Sequence, residues 1–322
     1  MTNSKAACRL HVLLAKNADI GIVFRRGPAA WWHILKWDLA KFSLEPGAWL
    51  KGTLYPTRSA VSHDGKVIAY FAMHGSWDTY LALSKPPWLK ALCAWKTAGT
   101  WTTGAYFKSD GTLCAFGALC KEQPFHGSWD TYLALSKPPW LKALCAWKTV
   151  GTWTTGAYFK SDGTLCAFGA LCEEQPFHTS CPFPIKFGGT DTNWNRAREF
   201  QCIMNGWQPK AANVSVENFN PGPNEVIELS KSSPQDPKLV LNKYSEFGSC
   251  LYSMTYPDNQ EILLSDAVWA DFDRKGRLVI ASATGELKIC EIIDLNFRTV
   301  FSVNLNSLKP TPVKAPGWAK EW

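Results

Sequence analysis

The sequence predicts an all-β protein, a single β-propeller of six four-stranded blades. Three observations predict it. A 52-residue stretch occurs twice, His74 to Phe125 and His126 to Phe177, identical at 50 of 52 positions, with only Ala98/Val150 and Lys121/Glu173 differing. A unit is copied this faithfully inside a folded chain only where the architecture tolerates another unit beside its neighbours, and its length is that of one blade. Second, turn markers at Asn17, Gly65, Gly111, Gly163, Gly222 and Gly276 follow one another at intervals of 48, 46, 52, 59 and 54 residues. Third, the inner strand candidates, such as Gly104 to Phe107 and Leu113 to Ala118, are apolar on both faces. Strands packed between neighbouring sheets read that way.

The elements follow in chain order. Arg9 to Ala15 and Ile20 to Phe24 flank the turn group Lys16-Asn17-Ala18-Asp19 and make a hairpin. Trp31 to Trp37 gives a third strand and Ala48 to Leu50 a fourth, after the breaker Pro46-Gly47. The pattern restarts at Ser59 to Phe71 through Asp64-Gly65, where Gly supplies the positive φ of a tight hairpin. It recurs at Asp110-Gly111, at its copy Asp162-Gly163, at Asn220-Pro-Gly-Pro223 between Val214 to Phe219 and Val226 to Leu229, and at Ala270 to Ile280. Outer pairs are expected at Thr79 to Leu83 with Leu89 to Trp95, Thr131 to Leu135 with Leu141 to Trp147, and Leu287 to Ile293 with Thr299 to Val303. The fourth blade is irregular, because Thr179 to Asn205 carries Pro182, Pro184, Gly188 and Gly189 where strands are expected.

One domain is expected over 1–322, with the tandem repeat at 74–125 and 126–177 and a C-terminal tail at 305–322. The copied unit begins inside one blade and ends inside the next, so removing one copy leaves five markers and implies a five-bladed precursor. Five closed blades with the extra copy extruded, or seven blades, are the alternative closures.

Hydrophobic residues make up 46% and charged residues 19%, the balance of a core-forming chain. The net charge of +7 is spread without a dense basic run, so neither a specific nucleic acid nor a membrane surface is an expected partner. Eleven Cys is an odd number, and six of them are two copies of three, in apolar contexts such as Leu113-Cys-Ala-Phe116. Thiols acting as small hydrophobes, an apolar run at Val12 to Ala15 too short for a signal peptide, and no membrane-spanning stretch lead to the expectation of a cytoplasmic protein.

Two resemblances rest on particular residues. The turns Ser62-His-Asp-Gly65-Lys and Lys108-Ser-Asp-Gly111-Thr, with Trp37-Asp38 closing a third strand, resemble WD40-type blades. Arg9 to Lys16, Gly21 to Pro28, Lys36-Trp-Asp38, Glu45-Pro-Gly47, Trp49 to Gly52, Ser62 to Gly65 with Tyr70-Phe71, and Ser84 to Leu92 resemble a family of bacterial propeller-like proteins. That second resemblance covers roughly the first third of the chain. It implies the propeller fold and carries no activity with it.

No metal-protease helix, phosphate loop, nucleophile elbow or dinucleotide fingerprint is present, and no catalytic residue, metal site or cofactor is expected. His74, His126 and His178 recur at the copying interval, but equivalent positions on separate blades stand too far apart for one ion. Asp64, Asp110 and Asp162 sit beside Gly, where Asp serves the turn. The binding candidates are Trp88 and Trp140 after Pro-Pro, Trp101 and Trp153 after Lys-Thr-x-Gly-Thr, and Lys108 and Lys160. Loop tryptophans at a ring mouth stack on a flat ligand, and lysines add charge; packing between blades is the competing use of the same rings. The expected function is a non-catalytic binding or scaffold role toward a protein, a peptide or a small ligand at the mouth. The alternative is a carbohydrate-active hydrolase or lyase in the central funnel, which requires two converging carboxylates. A monomer is expected, with swapped dimers favoured by near-identical neighbouring blades.

Overall fold

The computed structural model of the chain describes residues 7–27, 30–74, 78–97, 202–203, 205–210, 226–246 and 249–321. It also describes residue 111 and seven short strands between 104 and 188. Among the described residues the strands form six sheets. The first is an antiparallel meander of β1 (Arg9–Leu14), β2 (Ile20–Arg26), β3 (Trp31–Asp38) and β4 (Ser43–Lys51). In the second, β5 (Thr53–Leu54) and β6 (Ala60–Val61) both pair β7 (Ile68–His74), followed by β8 (Asp78–Ser84) and β9 (Cys93–Thr97). The third runs β10 (Gly104–Phe107), β11 (Leu113–Gly117), β12 (Thr131–Ser136) and β13 (Ala143–Thr149). The fourth has β14 (Gly156–Phe159), β15 (Leu165–Phe168) and β16 (Ile185–Gly188), with β16 parallel to β15. The fifth has β17 (Gln208–Pro209), β18 (Ile227–Ser232), β19 (Val240–Glu246), β20 (Ser249–Thr255) and β21 (Glu261–Leu263). The sixth is β22 (Ala267–Phe272), β23 (Leu278–Ser282), β24 (Glu286–Ile293) and β25 (Asn296–Asn304).

Four of these sheets follow the expected four-rung path, and two depart from it. The fourth sheet has three strands and a parallel rung. Sixteen residues, 169–184, separate β15 from β16, enough chain for the crossover that a parallel pair requires. The fifth sheet gains a short edge strand at each side. The marker turn at Gly222 lies outside the described residues.

Pro46-Gly47, expected to break the chain ahead of a fourth strand, lies inside β4 instead. Proline is tolerated there because β4 is the sheet's edge, and the register opposite shifts between His33 and Leu35. Gly47 is needed for a different reason. The Pro86–Leu89 segment docks on β4 through Ala48 N–H donating to Pro87 O at 3.0 Å, and a Cβ on Gly47 would stand 2.3 Å from that oxygen. Gly47→Ala is therefore expected to destabilise by about 1–3 kcal/mol, read from the urea midpoint, because backbone rather than a flexible side chain must move.

By its contacts the chain divides into two units, 1–51 with 86–89 and 205–315, and 52–85 with 90–204 and 316–322. In the first unit the N-terminal and C-terminal sheets share one core. Val12, Val23, Leu35 and Trp37 pack with Val279, Ala281, Leu287, Ile289 and Leu305. In the second unit Ala69, Phe71, Leu81 and Leu83 pack with Ala105, Phe107 and Leu113. Ile22, Val23 and Phe24 on β2 are all fully buried, so this strand is covered on both faces as its sequence predicts.

Candidate functional site

The described residues place a basic cluster in the first unit, between β1, β18, β19 and β22. Its fixed point is Asp271 on β22, 7% exposed. Asp271 Oδ1 accepts from Lys231 Nζ at 2.6 Å and from the Phe272 N–H at 2.7 Å, while Oδ2 accepts from Trp207 Nε1 at 3.4 Å. A carboxylate held by an ammonium, an indole and a backbone amide is an anchor rather than a base ready to take a proton.

Strand register brings a second lysine alongside. Lys231 stands opposite Leu241 and Lys243 opposite Leu229, so both lysines share one face of the β18–β19 ladder as diagonal neighbours, about 7–8 Å apart along the backbone. Lys243 is buried opposite Tyr252, on which Trp207 packs edge to face with ring centroids 6.3 Å apart. Across β22, His11 of β1 meets Trp269 edge to face at 6.4 Å, and both rings are half-buried. Burial first, and the Lys243 ammonium second, push the His11 imidazole down to about 3, so at neutral pH it is uncharged. Lys16, exposed by area just beyond β1, is held below the ordinary lysine range by its crowded surroundings first and by Lys231 second. Positive potential thus reaches both His11 and Lys16. Lys243, Trp207 and Asp271 are buried, Lys231, His11 and Trp269 half-buried, and Lys16 exposed.

A second polar group lies on the other face of the fifth sheet. Tyr244 Oη accepts from Lys210 Nζ at 2.8 Å and donates to Glu261 Oε1 at 2.9 Å, and Glu261 also accepts from Ser253. The Ser253 hydroxyl first and Tyr244 second hold Glu261 below the usual carboxylate range. Every member is engaged, so this chain ties β17 through β21 together.

Of the residues singled out in the sequence, Trp88 is described. It follows the docked Pro86–Pro87 pair, is half-buried, and its enclosed Nε1 has no hydrogen-bond partner among the described residues. Packing on β4 holds this segment, and the structure does not bring Trp88 into the basic cluster. Trp101, Lys108, Trp140, Trp153 and Lys160 lie outside the described residues, as do His126, His178, Asp110 and Asp162. Asp64 serves its turn, accepting from Ser62 Oγ at 2.6 Å and from Lys66 N–H at 3.1 Å. Partial burial alone would raise its pKa, but those hydrogen bonds outweigh it and hold the carboxyl low. Among the described residues no group of three or more His, Cys, Asp or Glu is placed to hold a metal, and Cys8, Cys93, Cys250 and Cys290 are free thiols. No helix among them is long and apolar enough to cross a membrane.

Sequence reading missed the whole basic cluster. Lys16 reads as part of a hairpin turn, and β19 and β20 carry too many polar residues to stand out. The available signal was the phase of two strands: Leu229 and Lys231 share one face, as do Leu241 and Lys243, so each lysine extends an apolar row.

No protein-family model matches the sequence, and no curated protein matches it. Solved structures match most of the chain at low identity and low TM-score. The Pseudomonas aeruginosa periplasmic gluconolactonase PpgL is 13% identical, with 95% of this chain and 87% of that one covered and a TM-score of 0.38. The C-terminal WD40 domain of Sif2 is 9% identical, covering 94% and 90%, with a TM-score of 0.38. Kuenenia stuttgartiensis hydrazine synthase is 11% identical, covering 90% and 80%, with a TM-score of 0.35. Its described strands form six sheets, most of them antiparallel meanders, so the chain is an all-β protein.

Proposed function

We propose that the chain is a binding module: one six-bladed propeller, carrying a recently duplicated blade, that holds a ligand rather than transforming it. The observation that carries this reading is the state of Asp271. Three donors occupy its carboxylate, so it is anchored rather than poised as an acid or base among the described residues. The partner is a protein, a peptide or a small ligand, met by loops at one mouth, where Trp88, Trp101, Lys108, Trp140, Trp153 and Lys160 add aromatic and cationic contacts. The protein works in the cytoplasm as a monomer, and its near-identical units favour some swapped dimer; light scattering after refolding at several concentrations checks this, and a strictly monomeric result would count against it.

Two measurements test the reading. A panel of lactones and glycosides is expected to show no turnover above buffer; turnover lost in Asp271→Asn would overturn the binding role and support the funnel hydrolase instead. A thermal-shift screen with a mixed library of neutral and charged small molecules is expected to yield a saturable ligand whose effect disappears in Trp269→Ala. A screen without any saturable ligand would remove the small-ligand form of this function.

A further inference from the structure

We propose that the extended segment Lys309 to Lys314 is a docking peptide for a second protein, one whose groove is floored by aromatic side chains and rimmed by carboxylates. This goes beyond the binding reading above, because the segment belongs to none of the six sheets. After β25 the chain is pinned as far as the Leu308 carbonyl, which accepts from Arg25 Nη2 at 2.9 Å, and the Leu308 side chain packs against the core shared by the first and last sheets. Beyond that residue the anchoring stops. Lys309 to Lys314 are exposed without interruption, and the chain from Leu308 to Pro316 makes neither turn nor bend. Among the described residues no hydrogen bond or ion pair holds 309–315.

The sequence explains how this segment stays extended without a partner strand. Pro310, Pro312 and Pro316 fix their own φ, and each turns the residue before it away from helical backbone, so six of the eight residues from Lys309 to Pro316 are restricted toward the polyproline II conformer. Pro316 itself stands at φ −65° and ψ 164°. That conformer repeats every three residues, which puts Pro310 and Val313 on one edge about 9 Å apart, with Lys309 and Lys314 bracketing them at about 15 Å. Val313 is 63% exposed, more than any other large hydrophobic among the described residues. A chain already extended loses little entropy on docking, and its unpaired carbonyls are open to donors from a partner. An apolar ridge with a cation at each end complements an aromatic groove with acidic ends. A stiff spacer would need the prolines alone.

Titration of the full chain over immobilised SH3, WW and EVH1 domains with acidic groove rims tests this. At least one domain is expected to bind saturably. Combining Pro310→Gly with Pro312→Gly is expected to weaken that binding by about tenfold, because the segment must then be straightened at the moment of docking. Combining Lys309→Glu with Lys314→Glu is expected to weaken it severalfold and to remove most of its loss between about 50 and about 500 mM salt. All four positions are exposed, so the melting curves of both variants are expected to follow the parent's. Silence of the whole panel overturns the proposal. Full affinity in the proline variant overturns it as well and leaves the segment a spacer. Heparin and phosphatidylserine vesicles are titrated alongside; binding there that follows the lysines and ignores the prolines, with the domains silent, overturns the protein partner in favour of a polyanion. The library screen decides the binding reading separately from all of these outcomes.

Discussion

Arg25→Ala is expected to destabilise the protein by about 3–5 kcal/mol, a large part of the total stability of an ordinary domain. Arg25 on β2 is 1% exposed. Its Nε donates to Leu305 O at 2.7 Å, and its Nη2 donates to Leu308 O at 2.9 Å and more weakly to Asn306 O at 3.4 Å. One guanidinium thus fastens the segment after β25 to the second strand of the chain. The same segment is fixed from the other side by Cys8 N–H donating to Asn306 Oδ1 at 2.8 Å. Removing the side chain strands the buried Leu305 carbonyl, and it opens the core shared by the first and last sheets at that residue.

Lysine cannot replace this arginine. Its point charge does not fork toward carbonyls in different directions, so Arg25→Lys is expected to recover less than about half of the loss. Asn306→Ala removes the acceptor of the Cys8 N–H and the Nδ2 donor to Thr284 O at 2.7 Å, both at an exposed position, and is expected to cost about 1–2 kcal/mol. Urea unfolding of the three variants checks the order. If Arg25→Ala fell within about 1 kcal/mol of the parent, the clasp would not be a stabilising device, and the shared apolar core alone would join the two sheets.

How much of this was legible beforehand differs by element. β1, β2 and β3 and the sixth sheet announce themselves, because their apolar runs are bounded by turn residues, and β2 and β23 are buried on both faces. β19 and β20 do not. Asn242, Ser245 and Ser253 are buried there, which breaks the apolar pattern, and the fold accommodates them with internal partners: Asn242 Nδ2 donates to Ser253 Oγ at 3.2 Å and to Thr255 Oγ1 at 2.8 Å. Pro46 misled for a related reason, since a breaker in sequence is harmless at a sheet edge. Gly276, by contrast, was readable as a turn marker and proves doubly required: its φ is +70°, and a Cβ would stand 2.6 Å from Gln235 Cγ. The basic cluster was invisible for a deeper reason. Lys231 and Lys243 are neighbours on one hairpin, but Asp271 lies on β22, and only packing brings it to Lys231.

Acid is expected to unfold the protein in two stages, the first of them set by His11 and His33. His33 is 2% exposed and stacks on Trp49 with ring centroids 4.0 Å apart. Neither of its ring nitrogens has a hydrogen-bond partner among the described residues. Burial first, and Arg25 second, push His33 from its ordinary 6.5 to about 4. His11 falls to about 3 through burial and then Lys243. Both folded values lie below the unfolded one, so the unfolded chain binds more protons once the pH drops below about 6.5. The stability that neutral imidazoles provide is therefore complete above that point and falls as the pH descends toward 4 and then 3. At pH 4.5 each histidine is expected to have removed on the order of 2–3 kcal/mol relative to pH 8. Carboxylates with lowered values, such as Asp64 and Glu261, act only in the second stage, because their contribution is lost below the ordinary carboxylate range. The two stages separate experimentally. His33→Phe keeps a ring against Trp49 and removes the titration, so its urea midpoint is expected to change less than the parent's between pH 8 and pH 4.5, while the further fall below pH 4 persists. An unchanged slope in that upper window would mean that His33 is already protonated in the folded protein, and its stacking on Trp49 would then be a cation on an indole face rather than a neutral pair.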